Sequence, residues 1–67
     1  MMEIDDDKFA QMCMQLGGKV KIDSEGQIRR MTCRKDKHNN ITIQDGGGNL
    51  RISGKGELYA TVGKNLR

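Results

Sequence analysis

The chain contains no proline and no tryptophan, and its aromatic residues are Phe9 and Tyr59 alone. Without proline, no cis X-Pro turn is available. With so few aromatics, a surface that stacks successive bases, as single-strand readers use, cannot be assembled. Long apolar runs are missing as well: nothing approaches the ~20 residues of a membrane-spanning helix. The opening "MMEIDDDK" is acidic where a secretory leader would be basic. The expectation is a soluble, cytoplasmic protein with no membrane partner.

Histidine and cysteine are equally scarce. Cys13, Cys33 and the single His38 are too few and too far apart for a zinc motif, so neither metal nor cofactor is expected. Both cysteines fall on apolar positions of their segments and read as buried free thiols, with a disulfide or a reactive thiol as the alternatives. "CRKDKH" sets Cys33 and His38 near Asp36, but nothing orients the imidazole, and no enzymatic role is expected. The Asn-Ile-Thr sequon at Asn40 matches glycosylation in form only.

What the chain has is charge and glycine, unevenly spread. Within its 67 residues, residues 1 to 18 set Lys8 against four acids, a net −3, while the remaining eleven Lys and Arg face five acids, a net +6. Residues 29 to 38 alone carry five Lys and Arg against Asp36, a local +4. Such a cluster suits a polyanion or an acidic protein surface; solvation of an outer sheet face would also account for it.

The first segment reads as a helix over about 5–16. Asp5 serves as N-cap, Asp6 and Asp7 favour the positive end of the dipole, and Ile4 with Phe9 forms a hydrophobic staple. Phe9, Met12, Cys13 and Leu16 make one stripe at i, i+3, i+4 and i+7, and Gly17-Gly18 stops the helix. From Lys19 to about residue 63 the apolar period becomes 2. "KVKID", "NITIQ", "NLRIS" and "ELYATVG" each alternate, and "DSEGQ", "DGGGN" and "SGKGE" between runs have turn composition. Three segments share a weak strand-then-glycine pattern ("VKIDSEG", "ITIQDGG", "LRISGKG") at unequal spacing, which is no solenoid repeat.

The glycines of "ITIQDGGGNLRISGKGE" invite a nucleotide-loop reading, but the spacing from Gly48 to Gly54-Lys55 is one residue too long for a phosphate-binding loop. The residues after Gly56 also alternate like another strand rather than opening a helix. Hairpin turns are the expectation. In "QIRRMTCR" the apolar parity breaks, with Ile28 even and Met31 and Cys33 odd. A β-bulge at Arg29-Arg30 would restore it; otherwise Met31 lies exposed on a short edge strand.

The expected fold is α+β over residues 1–67: one N-terminal helix packed on a small antiparallel sheet of about five hairpin-connected strands. Its core would comprise Phe9, Met12, Cys13, Leu16, Val20, Ile22, Ile28, Met31, Cys33, Ile41, Ile43, Leu50, Ile52, Leu58, Ala60 and Val62. Parity assigns Lys19, Lys21, Arg29, Arg30, Thr32, Arg34, Thr42, Arg51, Tyr59 and Thr61 to the opposite face, with Lys35 and Lys37 in the adjoining loop. The functional expectation is a small non-enzymatic binding module. It would contact nucleic acid or a nucleoprotein complex through Arg29, Arg30, Arg34, Lys35 and Lys37, supported by Lys19, Lys21, Arg51 and Tyr59. The alternative is a small protein-binding inhibitor or adaptor, of the sort that mobile elements use against a host nucleic-acid-processing enzyme. It would dock by a sheet edge or the helix tip. A homodimer through sheet edges is compatible with either.

Overall fold

The computed structural model describes residues 6–65. The chain is α+β, in the order α1 (Asp6–Gln15), β1 (Lys19–Glu25), β2 (Ile28–Asp36), β3 (Asn39–Gly46), β4 (Asn49–Lys55) and α2 (Gly56–Asn65). The four strands form an antiparallel meander in sequence order, and both helices pack on one face. The Asp5 cap and the Ile4 staple lie outside the described residues.

Helix α1 is built on the stripe that begins at Phe9. Phe9 and Cys13 are fully buried, and Met12 and Leu16 pack beside them. Its end is a Schellman closure: the Gly18 amide donates to the Cys13 carbonyl at 2.9 Å and the Gly17 amide to that of Met14 at 3.1 Å. Gly18 is needed for space too, since a Cβ there would sit 2.5 Å from Cys33 Sγ. The thiols are not free: Cys13 and Cys33 form a disulfide that ties α1 to β2. Sequence spacing could not reveal it, because the two positions meet only when the helix lies across the sheet, with a Cα separation of 5.8 Å.

The expected fifth strand is helix α2. Leu58 and Val62 satisfy a period of 2 and an i, i+4 helical spacing equally, so Ala60 decides between them, and Ala60 is exposed. Nor is "SGKGE" a hairpin turn. β4 runs straight into α2, and glycine at position 56 lets the chain pass the His38 carbonyl at a distance no side chain would tolerate. By contrast "DGGGN" is a turn, with Gly47 and Gly48 both at positive φ between β3 and β4.

Strand β2 carries no bulge at Arg29-Arg30. Its register with β1 is unbroken from Ile28 to Arg34, and the irregularity against β3 falls between Arg34 and Asp36, where Lys35 is the extra residue. Nor is β2 an edge strand with Met31 outward: it is paired on both sides, Met31 and Cys33 are fully buried, and Ile28 is the residue left in solvent, at 41% exposure. The core is Phe9, Cys13, Met31, Cys33, Ile41, Ile43, Leu58 and Val62. Ile22 and Leu50, on the outer strands beyond the cover of two ten-residue helices, stay more than 40% exposed.

Candidate polyanion-binding face

The pairing register defines the sheet face away from the helices. Across β1 to β4 it presents four rows. The first is Lys19, Arg34, Asn40 and Lys55; the second is Lys21, Thr32, Thr42 and Ser53. The third is Asp23, Arg30, Gln44 and Arg51, and the last begins with Glu25 and Ile28. Lys19, Lys21, Arg30, Arg34, Arg51 and Lys55 are all exposed, against the acids Asp23 and Glu25, so the face carries about +4 in a patch four strands wide. A shallow groove at its β1–β2 edge is lined by Lys19, Lys21, Thr32, Arg34 and Lys35, with Val20 and the acid Asp36 also in its wall.

Local contacts order part of this surface. Arg30 Nη2 donates to Gln44 Oε1 across the β2–β3 pair at 3.3 Å, and Lys21 Nζ lies 3.8 Å from Asp23 Oδ2. In the second row short hydroxyls stand between the cationic rows, a composition that offers donors to phosphate oxygens without bulk.

The structure divides the residues singled out from sequence. Lys19, Lys21, Arg30, Arg34 and Arg51 share the open face, and Lys37 is exposed in the β2–β3 turn. Arg29 is on the helix side instead. Its Nη1 lies 3.0 Å from Asp6 Oδ1 at the start of α1, and its Nη2 lies 3.8 Å from Asp45 on β3. The unbroken register of β2 puts it there, with the same parity as Met31 and Cys33. Asp6 Oδ1 is buried and has no hydrogen bond of good geometry, so the guanidinium is its counter-charge. Tyr59 and Thr61 also leave the open face: both belong to α2, and Tyr59 packs against the core. Lys35, the bulge residue, reaches past Gly17 at the end of α1.

Sequence reasoning missed Lys55, because "SGKGE" read as a turn; strand parity carried two residues further along β4, from Ser53, would have found it. It also missed the hub beside the β2–β3 turn. Asp36 Oδ1 accepts from the His38 amide at 2.7 Å and from Asn39 Nδ2 at 3.1 Å, while Asn39 Oδ1 accepts from the Glu57 amide at 2.9 Å. The backbone hydrogen bond from His38, together with the weaker one from the Asn39 side chain, holds the Asp36 carboxyl below its usual pKa of 3.8.

Among the described residues no group of three His, Cys, Asp or Glu is placed to hold a metal ion, and no helix is long and apolar enough to cross a membrane. No family model, curated protein or solved structure matches the chain.

Proposed function

We propose that this chain is a non-enzymatic binding module whose open sheet face contacts nucleic acid or a nucleoprotein complex. The observation that carries the reading is the register: it gathers six cations from three strands, β1, β2 and β4, onto one exposed face with hydroxyls between them. Spaced cations and hydroxyl donors are the groups that hold phosphates, and arginine can pair with phosphate oxygens through two hydrogen bonds.

The neighbours Arg29 and Arg30 supply the test, because one is committed to ion pairs within the fold and the other faces solvent. Binding to labelled duplex and single-stranded nucleic acids is measured by fluorescence anisotropy across a salt series. Arg30→Glu with Arg34→Glu is expected to weaken binding by about a hundredfold while thermal unfolding stays where it was, whereas Arg29→Ala is expected to lower the melting temperature and leave affinity within about threefold. Unchanged affinity in the double reversal would remove this face as the working surface.

The second reading, a protein-binding inhibitor or adaptor, is favoured by the two open edges of the sheet. β1 and β4 each have one unpaired side, and β1 is exposed along its length except at Val20. Edge strands offer a ready template for an added strand. A single protein recovered by the tagged chain after nuclease treatment would support this reading, and recovery abolished by nuclease would count against it.

A further inference from the structure

We infer that the ligand of the basic face is duplex DNA, gripped by its two phosphate backbones across the major groove without any reading of the bases. The inference rests on the polyanion reading proposed for this face and adds which polyanion and how.

Two rows rich in cations, Lys19-Arg34-Lys55 and Arg30-Arg51, lie four residues apart on β2 and β4, the strands that bear both; on β1 the second row carries Asp23, beside Lys21. At about 3.4 Å per residue of antiparallel strand, that is about 14 Å. The major groove of B-form DNA is about 12 Å wide. Laid over the groove, the two rows meet the phosphates of its two walls. The row between them, Lys21-Thr32-Thr42-Ser53, comes to lie over the opening.

The face cannot go deeper. Four strands about 4.8 Å apart put the outer two about 14 Å from each other before side chains are added, whereas the groove admits one helix or a two-stranded ribbon. Thr32, Thr42 and Ser53 are too short to reach base edges at a depth of about 8.5 Å. Phosphate contacts therefore carry the affinity, and sequence is not read.

Other polyanions fit less well. A single strand is held by bases stacked on aromatic rings, but Phe9 is buried in the core and Tyr59 lies on α2, away from this face. The major groove of A-form RNA is deep and narrow, and rows about 14 Å apart do not fall on its two walls.

The experiment uses the oxidised full-length chain and fluorescence anisotropy with short labelled probes: B-form DNA duplexes of unrelated sequence, a double-stranded RNA and a single-stranded DNA of the same length. The duplexes are expected to bind within about threefold of one another, with a log-log salt slope near −4.5 for five phosphates at about −0.9 each. RNA duplex and single strand are expected to bind at least about tenfold more weakly. Replacing Arg51 or Lys55 with Ala should each reduce the slope by about 1. Sequence preference beyond threefold, or RNA or single strand binding as tightly as duplex DNA, overturns the groove-spanning inference and leaves the basic face standing. Absence of binding to every probe at low salt overturns both.

Discussion

At the scale of single residues, two glycines make opposite demands. Gly46 ends β3 at φ 149°, and a Cβ there would lie 2.3 Å from the Gln27 carbonyl oxygen and 2.8 Å from Ile28 Cα. Both obstacles are backbone of the neighbouring hairpin and cannot swing aside. Gly63, within α2, has ordinary helical geometry, and a Cβ there would meet nothing within 4 Å. Gly46→Ala should therefore cost about 3 kcal/mol, and Gly63→Ala should stabilise by about 0.5–1 kcal/mol by limiting the unfolded chain. Thermal unfolding separates them: about 4–8 °C per kcal/mol is expected for a domain of this size, downward for the first and upward for the second. Equal shifts of one sign would mean that the close approach of β3 to the β1–β2 turn is not maintained in solution.

At the scale of elements, legibility in the sequence depended on whether an apolar pattern had one reading or two. Helix α1 had one: its stripe at i, i+3, i+4 and i+7 and its double-glycine stop have a single helical reading, and a helix ends there, at Gln15. Strands β1, β3 and β4 alternated cleanly. In α2 the pair Leu58 and Val62 fits both periods, and only packing against β3 and β4 chose between them. Arg29 was misassigned because a bulge was invoked to bury Ile28, whereas the sheet leaves Ile28 in water and keeps β2 straight. The positions of five open-face cations came from parity alone, and the sixth was lost with the α2 boundary.

That boundary is held by Asn39, which reaches from the β2–β3 hairpin to satisfy the Glu57 amide in the first turn of α2. Asn39→Ala should cost about 1 kcal/mol and loosen α2 specifically, seen as faster amide exchange in residues 57–60 than in β2. Asp36 adds a pH dependence of known sign. Hydrogen bonds to its carboxylate keep its folded pKa below the ordinary 3.8. Their contribution is thus complete above that value and is lost as pH falls through 3.8 and below. Urea unfolding at stepped pH should show wild type losing stability relative to Asp36→Asn over that acid range. Parallel curves would mean that the carboxylate is not engaged.

For the whole molecule, the decisive feature is how little core there is. Among the described residues eight buried side chains serve one side of the sheet, the other side is given to polar groups and Ile28, and a domain this small buries only about 60% of its unfolded surface. The Cys13–Cys33 bond closes a loop across 20 positions and joins the one helix preceding the sheet to its second strand. Constraining the unfolded chain by a loop of that size is worth about 3 kcal/mol, a large share of the 5–15 kcal/mol typical of whole domains. Reduction, or Cys13→Ala with Cys33→Ala, should thus lower the melting temperature by about 12–24 °C. Because disulfides persist in oxidising surroundings and thiols in a cytosol buffered by glutathione, the same pair reports where the chain resides. Alkylating free thiols in intact cells before lysis should leave both cysteines unmodified if the bond forms there; modification of both would mean that the chain works reduced, with α1 held by non-covalent contacts, among them Phe9, its apolar neighbours and the Asp6–Arg29 pair. Identical melting with and without reductant would mean that packing, and not the covalent tie, holds α1 to the sheet.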